Sequence, residues 1–265
     1  MASGQEALAA LRRKVAGLEG RQGIDRADLF TLGFGDVDEA IGGGLRRGVL
    51  HDLVAPGLPD CAALAGFAAA LARRAAGGRA ILWARQDYVE LEAGRLDAHG
   101  LSELGLDPGG IVIVRARDPT GVLRAGAEAV RCDALGAVLI ELWGAPKALD
   151  LTATRRLALS AGQSGVTVFL VHVLAEPDAN AAASRWRVEA SPSGALEANA
   201  PGYPVFRTTL LRHRAGYPEQ SWVVEWDRDG RRFRKPAPLS RPVVSVPRPA
   251  APAQARPAAL LRRAG

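Results

Sequence analysis

GVLHDLVAPGLPDCAAL, residues 48–64, decides the fold. Its opening run, 48–54, clusters apolar residues as a buried strand does. The Gly/Pro-rich middle demands a turn, and the alanine-rich end starts a helix. A strand, a tight loop and a helix in that order make the framework that cradles phosphates, because a helix N-terminus presents unpaired backbone N–H groups. The phosphate-holding residues are missing from it: the loop has no lysine, and Pro56 and Pro59 each remove a backbone donor.

Outward from this stretch the same grammar repeats. Apolar runs at 79–84 (RAILWA), 111–115 (IVIVR), 137–142 (AVLIEL) and 166–173 (VTVFLVHV) read as strands. Segments 61–76, 88–99, 120–133 and 150–163 between them have helical spacing. Near-continuous Val/Ile/Leu strands alternating with helices predict an α/β domain whose mostly parallel, twisted sheet is covered by helices on both faces. From residue 184 the pattern changes to SRWRVEASPSG, FRTTLLRHR and SWVVEWD, which predict antiparallel strands extending that sheet. At the N-terminus, Leu8, Leu11, Val15 and Leu18 share one stripe of a predicted separate helix within 4–19. Residues 236–265 hold seven of the seventeen prolines and no acid, a composition that predicts a disordered tail. The expected layout is an N-terminal helix and linker at 1–26, one domain at 27–235 and the tail at 236–265.

Of 265 residues, 48% are hydrophobic and 23% charged, as in ordinary soluble globular proteins. The formal charge is +6, but five units are tail arginines, so the remainder carries only about +1. A basic tail is implied rather than a basic domain. Cys61 and Cys132 lack CxxC or Cys/His spacing and read as reduced core thiols of a cytoplasmic protein. No signal-peptide core opens the chain, and Gln163, Ser164 and His172 interrupt the uncharged run 157–175, which excludes a membrane span there. Asp118, Asp133 and Asp150 show no paired acid–base spacing, and no metal-ligand cluster is present, so no cofactor or metal is expected.

TLGFGDVDEAIGGGLRRGVLHDL (31–53) is the most specific stretch. Its glycines precede the strand, which excludes a dinucleotide fingerprint. The Gly42–Gly44 run leading through Leu45 into a strand resembles the opening of the RecA-like recombinase core, and the resemblance continues in order over roughly residues 30–230. More closely, the chain is similar to the ImuA family, RecA-like accessory proteins of bacterial translesion-synthesis cassettes. By that resemblance, residues 55–62 stand where RecA-like enzymes carry G-x-x-x-x-G-K-[ST]. Ala55 and Asp60 replace the two glycines, Cys61 the lysine and Ala62 the magnesium-binding hydroxyl. Asp60 would repel a phosphate by ~1–4 kcal/mol at about 4 Å. Arg85-Gln86 occupies the place of the water-orienting glutamate. Glu141 matches the metal-side carboxylate, and either holds magnesium or pairs with a local arginine or backbone N–H. His172 stands where RecA has a γ-phosphate-sensing glutamine, as a relay or as a satisfied core residue.

The resemblance also makes 174–194 similar to the mobile second DNA-binding loop and the strand after it. Arg185, Trp186 and Arg187 offer charge and a stacking surface. Arg212 and Arg214 fall on one side of the next strand. A solvated strand face with Trp186 in the core is the competing reading. Weak, sequence-independent DNA binding is expected from the tail arginines. Partners implied by the family are an ImuB-like Y-family adaptor, an error-prone polymerase of the replicative type and RecA itself. Leu260 and Leu261, flanked by Arg262 and Arg263, are candidate anchors for them. The implied role is non-catalytic and SOS-induced. A DNA-dependent ATPase of the RecA type and a SulA-like cell-division inhibitor are the alternatives.

Overall fold

The computed structural model describes residues 26–174, 179–196, 200 and 202–237. Strands β1 (Leu29–Phe30) and β2 (Leu45–Arg46) pair antiparallel around helix α1 (Gly35–Ala40). The main sheet draws on β3 (Leu50–Ala55), β4 (Ala80–Gln86), β5 (Ile111–Ala116), β6 (Leu135–Trp143) and β7 (Thr167–Val173). It continues with β8 (Ser184–Ser191), β9 (Val205–His213), β10 (Gln220–Asp227) and β11 (Arg232–Arg234). The strand order is β11-β10-β9-β8-β3-β7-β6-β4-β5. From β8 to β5 every pairing is parallel, and from β8 to β11 every pairing is antiparallel. This is the α/β architecture expected from the apolar runs, with the antiparallel extension in its expected place.

Helix α2 (Cys61–Ala76) covers one face, while α5 (Pro119–Val130) and α6 (Leu151–Ser164) cover the other. Strand β3 is buried at every position, and its alternation sends Leu53 and Ala55 toward α2 but Leu50 toward the opposite core. The alanine content of α2 lets it lie close to the sheet. A Cβ on Gly136 would come within 2.5 Å of the Ala76 backbone, so only glycine fits there. Asp118 and Asp150 cap α5 and α6, their carboxylates accepting N–H bonds from Gly121 (2.8 Å) and Ala153 (2.7 Å). Their role is to start helices.

Three expectations need correction or lie outside view. The predicted helix over 88–99 is two helices, α3 (Asp87–Ala93) and α4 (Ala98–Glu103). Gly94 at φ 88° stops the first, and the Asp97 carboxylate, accepting from the Gly100 N–H, starts the second. Cys132 is exposed rather than a core thiol, because α5 has ended and the chain is turning toward β6; Cys61 is buried. The predicted helix at 4–19, and Leu260, Leu261, Arg262 and Arg263 of the tail, lie outside the described residues. Among the described residues no helix is long and apolar enough to cross a membrane.

His51 ties β3 to its surroundings. Its Nε2 donates to the Arg46 carbonyl (2.9 Å), since a carbonyl can only accept, which leaves Nδ1 to accept from Ser184 Oγ (2.7 Å). Ser184 Oγ in turn accepts from Trp186 Nε1 (3.0 Å), and the imidazole stacks on Phe169. Burial pushes the His51 pKa down to about 4; burial and then Arg212 do the same to His213. Both bind a proton more readily when unfolded, so their contribution is fully present above about pH 6.5 and is lost as pH falls toward 4. For His51 that amounts to roughly 3 kcal/mol. The urea midpoint should therefore drop between pH 7 and pH 4.5, with a shallower drop in His51→Gln. A midpoint flat over that range would contradict the buried neutral histidine.

Candidate nucleotide-loop site

Residues 55–62 form the strand-to-helix turn expected of a phosphate loop, but four of its backbone donors are gone or occupied. Ala55 closes β3 in full burial, and a 3-10 turn over Leu58–Asp60 leads into α2. Pro56 and Pro59 have no N–H. The Asp60 N–H is bonded to the Gly57 carbonyl (3.1 Å) and the Cys61 N–H to that of Leu58. Gly57 is extended, a conformation open to any residue, so the glycine that remains makes no left-handed nest. The Asp60 carboxylate does not cap α2. It reaches across to accept the Ala190 N–H (2.8 Å), fastening the loop to the end of β8. Burial, then Glu141 and Asp60, push the Cys61 thiol pKa up, so the lysine position holds a neutral group in a negative field.

Behind the loop, Glu141 is enclosed. Its Oε2 accepts from Arg85 Nε (2.6 Å) and from Trp83 Nε1 (2.7 Å), and its Oε1 faces Arg85 Nη2 at 3.3 Å. Arg85 and Glu141 are Cα partners on the parallel strands β4 and β6, and their side chains are 4% and 2% exposed. At these exposures the pair is shielded from water and salt. The guanidinium stands where the resemblance puts a catalytic carboxylate, and it satisfies the residue that would have faced a metal. A cavity of about 290 Å³ remains between Cys61, Ala62, Trp83, Arg85, Gly94 and Glu141, but its acidic wall is already neutralised from within. Ala62 has no hydroxyl to add. The residues present do not fit a magnesium–triphosphate, and no cluster of potential metal ligands occurs among the described residues.

A second buried charge sits on the opposite face of the sheet. Asp52, in mid-β3, accepts from Arg185 Nε (2.6 Å) and Asn180 Nδ2 (2.7 Å) through Oδ2. Its Oδ1 lies 3.3 Å from His172 Nε2, an ion-pair distance without hydrogen-bond geometry. His172 is therefore a buried neighbour of Asp52, but not the fully satisfied core residue considered from sequence: its Nδ1 has no hydrogen-bond partner among the described residues. Sequence reading passed over Asp52. The available signal was an aspartate inside LHDLV, which requires a buried partner because an isolated carboxylate cannot stay charged among leucines.

The nucleic-acid candidates divide accordingly. Trp186 is wholly buried against α2, so it offers no stacking surface and the expectation that it does is corrected. Arg185 is corrected likewise, being buried against Asp52. Arg212 Nη2 donates to the carbonyls of Asn180 (3.2 Å) and Ala182 (3.0 Å), and Arg214 Nη2 to that of Ala181 (3.0 Å), holding the segment before β8. Arg187 is half-buried and points away from Trp186.

Removing one member of the inner pair isolates the other. Glu141→Gln should cost about 3–5 kcal/mol and lower the Tm by roughly 6–20 °C. The double change Arg85→Met/Glu141→Leu should recover most of that loss. A near-normal Tm for Glu141→Gln would mean that the carboxylate is not held this way.

Among solved structures the chain is similar to the crystal structure of the RadB recombinase, with a TM-score of 0.52 and 15% sequence identity over 78% of this chain and 99% of that chain. No protein-family model and no curated protein matches the sequence. At that identity the likeness establishes the fold, which is RecA-like.

Proposed function

We propose that this chain is a non-catalytic RecA-like accessory protein of SOS-induced translesion DNA synthesis, an ImuA-like factor working in the cytoplasm through protein contacts. Its partners would be an ImuB-like Y-family adaptor, an error-prone replicative-type polymerase and RecA. The observation that carries this reading is the state of the loop. Strand, turn and helix are kept, while Asp60 is bonded to Ala190 and Glu141 to Arg85, contacts that replace phosphate and metal with groups of the chain itself. A scaffold that keeps a recombinase-like body without its nucleotide chemistry is suited to binding proteins. The partner identities come from the family resemblance of the sequence.

Two assays test the proposal. Purified full-length chain should hydrolyse no ATP above buffer, with or without single-stranded DNA, and tagged chain should retain the adaptor and polymerase from DNA-damaged cells. Leu260→Ala/Leu261→Ala should weaken that capture while leaving the Tm unchanged. DNA-stimulated hydrolysis would instead support the ATPase reading. Cell filamentation on overexpression, without capture of either partner, would support the SulA-like one.

A further inference from the structure

Two cavities beside α2 are parts of one groove. The cavity of about 290 Å³ behind the loop and a larger one of about 630 Å³ share Ala62, Gly66, Gly100 and Leu104, so a trough runs along the N-terminal half of α2 with α4 as one wall. Its floor is alanine and glycine. A Cβ on Gly66 would already touch the Phe206 ring at 3.5 Å, so glycine there keeps the trough open. The α4 side is acidic. Residues 87–107 hold Asp87, Glu90, Glu92, Asp97, Glu103 and Asp107 against Arg95 alone. Arg115 and Arg228 reach Glu90 and Glu103 from other elements, which still leaves a surplus of three negative charges.

The same chain carries a complementary segment close by. The sheet ends at Arg234, whose guanidinium lies 5.0 Å from the centre of the Tyr203 ring, and Tyr203 lines the groove. The described residues stop at Ala237, and the sequence continues PLSRPVVSVPR over 238–248. Arg241 and Arg248 flank Val243, Val244 and Val246 there, with no acid between them. The six residues from Ala237 to Val243 reach up to about 20 Å. Pro242 and Pro247 bound the valines, a pattern that suits an extended backbone and not a helix.

We propose that residues 239–248 strap back into this groove, with the three valines on the alanine floor and the flanking arginines against the acidic wall. The small floor residues let the strap approach closely, and the bound strap closes the way to the cavity behind the loop. Tethering lowers the affinity required, because a short flexible connection gives an effective concentration of about millimolar. The strap is a different part of the tail from Leu260 and Leu261. Its test contains no partner protein, so it stands or falls apart from the function proposed above.

A fluorescein-labelled peptide of residues 238–249 reports whether the groove is free. By anisotropy it should bind the full-length variant Val243→Asp/Val244→Asp, whose own strap carries charges where apolar contact is needed. The wild-type chain should bind it about tenfold more weakly, as its own strap competes at about millimolar against a peptide Kd of about 100 µM. Adding Gly100→Trp to the variant should fill the groove and abolish binding; only Asp97 Oδ2, at 3.8 Å, lies near the Cβ position of Gly100. Ala62→Trp fills it from the exposed start of α2 and replaces Gly100→Trp if that chain does not fold. No binding to the strap variant, equal affinity for both chains, or binding that survives the filled groove would overturn the proposal. So would tighter binding of a peptide of residues 254–265, which would make the wall a site for the end of the tail. A wild-type dimer that the strap variant loses would place the strap in a second copy instead.

Discussion

A carboxylate in the middle of a β-sheet needs a cation one strand away, and two such pairs organise this protein. Asp52 on β3 and Arg185 on β8 are Cα partners, as are Glu141 on β6 and Arg85 on β4. Each pair joins neighbouring parallel strands and each is almost free of solvent. Because strand side chains alternate, a slip of one residue would send acid and base to opposite faces and strand both charges. Replacing such pairs with apolar residues is often neutral for stability, whereas breaking one is not. Their contribution is therefore to register: they fix how β3, β4, β6 and β8 line up, and with them where the loop after β3 sits relative to β8.

That alignment shapes the loop's chemistry. With β8 in register beside β3, the Ala190 N–H comes within reach of Asp60, which anchors the turn and engages the carboxylate that would otherwise face a phosphate. With β4 beside β6, Arg85 fills the space next to Glu141. The departures from the phosphate-loop pattern thus form one set. Prolines remove donors, a 3-10 turn occupies two more, and the two acids of the region turn to partners inside the protein.

The strands, the long helices and the degenerate loop were legible because each is a local pattern. Residues 61–76 read as a helix and are one; 50–55 read as a buried strand and are one. What escaped was pairing between distant segments. Nothing local ties Asp52 to Arg185, 133 residues later, or Asp60 to Ala190, 130 residues later. Trp186 was ambiguous for a related reason: which side of β8 faces α2 depends on how β8 joins the sheet, and one shift of parity separates a stacking surface from a core residue. The break at Gly94 was missed because helical spacing on both sides of it is continuous, and only the backbone conformation of the glycine ends the helix.

If internal contacts have taken over the phosphate site, thermal unfolding with and without ATP and magnesium shows it most directly. A ligand at about 100 times its Kd stabilises by about 2.7 kcal/mol, a shift of roughly 5–11 °C for a domain of this size. With millimolar nucleotide, even tens-of-micromolar affinity would register. No shift is expected in the wild-type chain. A magnesium-dependent rise of several degrees, with Asp60 and Arg85 intact, would show that the phosphate site is still open.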